Sequence, residues 1–251
     1  MKKTILYFFL IVLMLFAFVS CNPETNSSSE NLLPGEVTPP AESKMVEASD
    51  EDISKALSIL NNGASSGGKI GTEETKAEFT FDNGDTFSFS TETDDKGSVI
   101  TADGKFTEGS SVYELSDYTL TYKDGEYTET GKFLKDGKEV TREDTESFLK
   151  SLSSRYNIEG ASVKYESKIT YKFTVEEDGV KKDGSTLMFM SIDGDNMTMI
   201  CDITYGDDRV QNKMSGKYDA GVPTIDYIAL NGKFFNAESR EKLLNKTQTF
   251  S

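Results

Sequence analysis

KITYKFTV, residues 168–175, decides the fold class. Ile169, Tyr171, Phe173 and Val175 alternate with Lys168, Thr170, Lys172 and Thr174, the period of two that gives a strand one buried and one wet face. Working outward, Phe79 and Phe81, Phe87 and Phe89, and Tyr118, Leu120 and Tyr122 alternate in the same way. Between such runs sit Asn83-Gly84, Asp103-Gly104, Asp124-Gly125, Asp136-Gly137, Asp178-Gly179, Asp183-Gly184, Asp193-Gly194 and Asn231-Gly232. These residues tolerate the positive φ that tight hairpin turns need. Their short spacing predicts an antiparallel meander. The expected fold is mainly β (α+β), with the β-rich domain over 72–251.

Two segments break the alternation. Thr141 to Arg155 (TREDTESFLKSLSSR) has a capping Thr141, acidic Glu143 and Asp144 in the first turn, and Phe148, Leu149 and Leu152 on one side. Asn236 to Lys246 (NAESREKLLNK) repeats the design with Leu243 and Leu244. The two align at a constant offset of 95, which takes Gly137, Lys138, Glu143, Glu146 and Leu149 to Gly232, Lys233, Glu238, Glu241 and Leu244. This predicts two tandem units, 76–155 and 171–250, each a run of strands closed by a helix. One curved sheet or two packed sheets would both satisfy the pattern, each helix covering an apolar face or an open edge.

Upstream, Ser49 with Asp52 makes a capping box, and Ile53, Ala56, Leu57 and Leu60 form one narrow apolar stripe. A short helix is expected there, ended by the joint NNGASSGGKIG at 61–71. Residues 21–48 are poor in large apolar side chains, too poor to offset their ordering entropy, and are expected to be a disordered acidic tether. Such a tether has a root-mean-square reach of roughly 30 Å.

At the start of the chain, Lys2 and Lys3 precede an unbroken apolar run from Ile5 to Val19, followed by Ser20-Cys21. Fifteen helical residues span about 22 Å, short of the roughly 30 Å hydrocarbon core of a bilayer. A positive start, a short apolar run and a small residue before a cut site describe a secretory signal at 1–20. The cysteine directly after the small residue makes it resemble a bacterial lipoprotein signal, and the relaxed box, with Phe18 where Leu is usual, is similar to those of spirochaetal lipoproteins. The resemblance implies that the signal is cut before Cys21, that Cys21 carries the lipid, and that the protein is lipid-anchored to a membrane of the bacterial cell envelope. Asn22 is not the usual aspartate retention signal, which favours the outer membrane or cell surface over the inner membrane.

Charge narrows the function. The formal charge is −16, and processing, which removes Lys2 and Lys3, takes it to −18. So acidic a chain repels nucleic acid and anionic lipid, so no nucleic-acid partner is expected. Histidine is absent, which excludes Ser-His-Asp and Cys-His machinery and His-ligated zinc or iron. With Cys21 acylated, Cys201 has no partner within the chain, and the fold holds without a disulfide.

Candidate chemistry is sparse. Leu187 to Cys201 (LMFMSIDGDNMTMIC) folds as a hairpin about Gly194-Asp195, pairing Ile192 with Met197, Met190 with Met199 and Met188 with Cys201. Met188, Met190, Met199 and Cys201 are soft ligands of the kind that suit Cu(I), and equally the residues that fill irregular core gaps. Asp193-Gly-Asp195-Asn196 and Asp82-Asn-Gly-Asp85 cluster oxygens without continuing as a calcium loop, and read as turns. Ser147-Phe-Leu-Lys150 fits S-x-x-K only literally, since it lies on an amphipathic helix without partner motifs. Tyr113, Tyr118, Tyr122 and Tyr127, with Tyr165, Tyr171, Tyr205, Tyr218 and Tyr227, are candidates for a binding face, although parity assigns several of them to the core. No cofactor and no catalytic residue is expected. The function expected is non-enzymatic: a display, binding or structural module for a protein or carbohydrate partner. The alternatives are a hydrolase acting on glycans through paired carboxylates, and soft-metal binding by the Met/Cys cluster.

Overall fold

The computed structural model describes residues 32–65, 69–152, 161–177, 179–217 and 224–248. The expected signal at 1–20 and Cys21 lie outside the described residues. Twelve strands form an antiparallel meander: β1 (Lys69–Phe81), β2 (Thr86–Thr93), β3 (Gly97–Glu108), β4 (Ser111–Lys123), β5 (Glu126–Lys135), β6 (Lys138–Glu139), β7 (Ala161–Glu177), β8 (Val180–Asp193), β9 (Asn196–Tyr205), β10 (Asp208–Lys217), β11 (Thr224–Leu230) and β12 (Lys233–Phe234). The strand order is β12-β11-β10-β9-β8-β7-β1-β2-β3-β4-β5-β6. Three α-helices are described: α1 (Asp50–Ser65), α2 (Arg142–Leu152) and α3 (Ala237–Gln248). The chain divides into two compact units. Unit 1 comprises residues up to 69 with 170–189 and 196–251, and unit 2 comprises 70–169 with 190–195.

Unit 2 is built on an aromatic core. Alternation along β1 and β2 sends Phe79, Phe81, Phe87 and Phe89 to one face, where all are buried. Phe106 on β3 is the hub, with ring centroids of Phe87 at 4.8 Å, Tyr113 at 5.0 Å and Phe81 at 5.6 Å. Each such ring contributes about 1.5–3 kcal/mol by leaving water. Helix α2 starts at the cap Thr141, whose Oγ1 accepts the Asp144 N–H at 3.3 Å. It lays Phe148 against Tyr113 (4.8 Å), Phe133 (5.2 Å) and Phe106 (6.0 Å).

Unit 1 carries its helices on one sheet face. The expected capping box forms, with Asp52 N–H bonded to Ser49 Oγ at 3.0 Å and Ser49 N–H to Asp52 Oδ2 at 3.3 Å. Helix α1 packs on β9, β10 and α3, burying Ile53, Ala56, Leu57 and Ile59. Helix α3, capped by Asn236 Oδ1 on the Ser239 N–H at 3.0 Å, buries Leu243 and Leu244. The expected break at 61–71 starts later, because α1 runs through Asn61-Asn62-Gly63 to Ser65 and the Tyr171 hydroxyl donates to the Gly63 carbonyl. Strand β1 already begins at Lys69.

The largest departure from the sequence reading is in 32–48, which is not a free tether. The segment straps unit 1. It turns at Pro34-Gly35, with Glu36 N–H on the Leu33 carbonyl at 2.9 Å, and Gly35 sits against Leu187, Ile200 and Asp202. Glu36 pairs with Lys213, and the Val37 N–H donates to the Tyr227 hydroxyl at 3.1 Å. Glu42 accepts the Ala237 N–H at 2.9 Å and pairs with Arg240 at 3.3 Å. Val46 then makes a parallel bridge to Phe235, and Ala48 N–H reaches Ser239 Oγ at 2.8 Å. The composition argument fails here because the apolar surface that offsets the ordering entropy belongs to the sheet, not to the strap.

Two expected turns are not turns. Asp103-Gly104 lies inside β3, at a bulge between Ala102 and Gly104 where Gly104 takes φ +116. Asp183-Gly184 lies inside β8, where the bare Gly184 backbone receives the Phe173 ring; a Cβ there would stand 2.2 Å from Phe173 Cζ. The same residue chemistry that permits a hairpin also permits a bulge or a close ring contact.

Candidate functional site

On the face of unit 2 opposite its aromatic core, four strands line an open groove of about 470 Å³. The register builds it. Lys76 on β1 pairs with Ser90 on β2, Ser90 with Thr101 on β3, and Thr101 with Thr119 on β4. The next row runs Glu78, Ser88, Asp103. Because strand side chains alternate, these residues point away from Ala77, Phe79, Phe89 and Ala102, which are buried on the other side. Adjacent strands lie about 4.8 Å apart, so the hydroxyls form a regular polar row. Ser90 and Thr101 hydroxyls are 2.7 Å apart.

The groove is shaped by irregular backbone. The register shifts between Ala102 and Gly104 on β3 and between Ser116 and Thr119 on β4. Asp117, in the second bulge, takes φ +46, sparsely populated for a non-glycine residue, and its N–H is held by Asp103 Oδ1 at 3.0 Å. Bulges bend a sheet and re-aim side chains, and strained positions recur at functional sites. The lining offers hydroxyl donors and acceptors with one ammonium and several carboxylates. That set suits a polar ligand held by hydrogen bonds. Among the described residues, no cluster of three or more Cys, Asp or Glu is arranged to hold a metal ion.

The candidates named from the sequence fall elsewhere in the structure. Met190 and Met199 are buried, and Met188 and Cys201 are half-buried. Burial, reinforced by Asp202, pushes the Cys201 thiol up to about 12, which keeps it protonated, whereas soft metals bind the thiolate. In that environment these side chains serve as packing. Asp82 to Asp85 is a hairpin turn, with Asn83 Oδ1 accepting the Asp85 N–H at 2.9 Å. Tyr118, Tyr165, Tyr171, Tyr205 and Tyr227 are buried, and Tyr113 stacks in the unit 2 core. Tyr122 and Tyr127 form a more exposed pair, 4.7 Å apart, with Arg142 5.3 Å above Tyr127. Tyr218 lies outside the described residues. Among the described residues, two carboxyls are raised. Burial alone raises Glu73 in unit 2. Burial raises Asp226 in unit 1 against the opposing Ser215 hydrogen bond and the Lys213 charge. They belong to different units.

The groove residues escaped the sequence reading because Ser and Thr at outward positions look like any solvated strand face. Pairing the hairpins strand by strand would have aligned Ser90, Thr101 and Thr119. Among the described residues no helix is long and apolar enough to cross a membrane. No family model, curated protein or solved structure matches this chain.

Proposed function

We propose that this protein is a lipid-anchored module of a bacterial envelope, with lipid on Cys21, that displays a binding surface and carries out no catalysis. The outer face of unit 2 is the surface it offers. The observation that supports this reading best is the groove itself: a row of hydroxyls from β2, β3 and β4, flanked by charges, on a wet sheet face beside two bulges. Such a surface recognises a hydroxyl-rich carbohydrate by replacing water hydrogen bonds with protein ones, and gives modest affinity per contact.

The anchor is tested by the intact mass of protein recovered from bacterial membranes, beside a Cys21→Ala version. A mass starting at Cys21 with added acyl chains, absent from the variant, is expected; an unlipidated mass would sink the anchor. The surface is tested by retention of the purified full chain on isolated envelope polysaccharide, compared with Thr101→Trp, which fills the groove. Retention that the substitution abolishes is expected. Equal retention of both, or of neither, removes the groove from the reading.

A further inference from the structure

The offset of 95 places Glu92, Lys105 and Lys132 of unit 2 at the positions of Leu187, Ile200 and Tyr227 of unit 1. The unit 2 residues are polar, as a solvated outer face requires. Those of unit 1 are apolar, and Ile200 and Tyr227 are almost fully buried, at 2% and 1% exposure. What covers them is the strap, through Gly35 against Ile200 and Leu187, the Val37 N–H on the Tyr227 hydroxyl and Glu36 on Lys213. The unit 1 surface is therefore built for the strap, and the strap lies between the fold and Cys21. Leu33 is 12 positions after Cys21, and Ser49 is 28. At roughly 3.4 Å per residue, those stretches have maximal lengths of about 40 Å and about 95 Å.

We propose that residues 32–48 are a clamp that sets how far the lipid anchor lets the fold stand from the membrane. Docked on unit 1, the clamp limits the span between anchor and fold to about 40 Å, and released, it extends the span to about 95 Å. The Glu36–Lys213 pair is its latch, and Val46 with Ala48, on Phe235 and Ser239, is its second point of attachment. The length-setting role rests on the lipid anchor proposed above; the docking does not.

The test uses the full chain recovered from membranes and two readouts. Hydrogen exchange of 33–37 should be at least tenfold slower than in an unstructured peptide. It should speed up at least tenfold in Lys213→Glu and recover in the charge-swapped double variant Glu36→Lys/Lys213→Glu. Peptides from β9 and β11 report whether the sheet is intact; should Lys213→Glu unfold it, Tyr227→Phe, which removes only the Val37 bond, should still speed exchange at Val37. In vesicles, energy transfer from a dye on Lys172→Cys to a headgroup acceptor should fall with Lys213→Glu and return with the double variant. Free-peptide exchange in the wild type, or single variants that change nothing, overturns the clamp. An acyl-free mass in the same sample overturns the anchor and the length-setting role while leaving the docking measured.

Discussion

Glu73 precedes Thr75 and Ala77 on the inner row of β1, and burial alone raises its carboxyl from its ordinary value. A raised folded pKa contributes stability that is present below the unfolded pKa and is lost as pH rises through the folded one. At pH 7 the ionised side chain therefore works against the fold. Glu73→Gln should raise Tm at pH 7, with the gain closing as pH falls through the carboxylate range. A gain that is the same at pH 3 and pH 7 would refute this. Glu36 has the opposite sign: burial works to raise it, but the Lys213 and Leu33 hydrogen bonds and the Lys213 charge outweigh burial and hold it low, so its contribution is present at neutral pH and lost in acid. Cys201, with its thiol pushed up to about 12, should be alkylated roughly a thousandfold more slowly at pH 8 in the native protein than in urea, as read by mass. Comparable rates would show that the thiol is neither buried nor protonated. At this scale the sequence spoke for the turn at Asn83-Gly84, where local side-chain chemistry suffices. It misled at Asp103-Gly104 and Asp183-Gly184, where the deciding partner is the neighbouring strand or the Phe173 ring.

Among the elements, the helices were legible because caps and apolar stripes are local. Thr141, Ser49 and Asn236 each bond the N–H three residues on, as their positions predict. Helix α2 gives a direct measure of what such an element contributes. Phe148 meets three rings, and Phe148→Ala leaves Phe106, Tyr113 and Phe133 facing a void. The expected cost is roughly 3 kcal/mol, seen as a lower urea midpoint with unchanged slope. A loss below about 0.5 kcal/mol, the level of a surface substitution, would mean that α2 is not seated on the core. The strap was not legible, for a physical reason. The entropy argument weighs the apolar content of 21–48 as a whole, where the polar stretch 22–31 dilutes Leu32, Leu33, Val37, Met45 and Val46, and it leaves out the surface the segment packs on. The compensating surface, Leu187, Ile200 and Tyr227, lies some 150 to 190 residues away in sequence, and only the folded sheet brings it under Gly35 and Val37.

Across the whole molecule, the offset of 95 carries one unit's pattern into the other. It takes β6 at 138–139 to β12 at 233–234, and the start of α2 at 142 to the start of α3 at 237. Even single bonds map: Val140 N–H on Phe133 O becomes Phe235 N–H on Ile228 O, and Thr145 N–H on Thr141 O becomes Arg240 N–H on Asn236 O. Against this common plan, the outer faces differ, one polar and open, the other apolar and strapped. The difference makes a prediction that neither unit alone would give. A chain starting at Ser49 loses the strap, leaving Leu187, Ile200 and Tyr227 as an uncovered apolar patch of the kind that drives association. It should self-associate in size-exclusion chromatography with light scattering, whereas a chain that keeps residues 32–48 stays monomeric. Installing the unit 2 residues, Leu187→Glu with Ile200→Lys, should restore a monomer in the strapless chain, because an outer face of that composition needs no cover. A strapless chain that is monomeric without them would mean that the strap covers nothing that matters. One that associates even with them would place the sticky surface elsewhere.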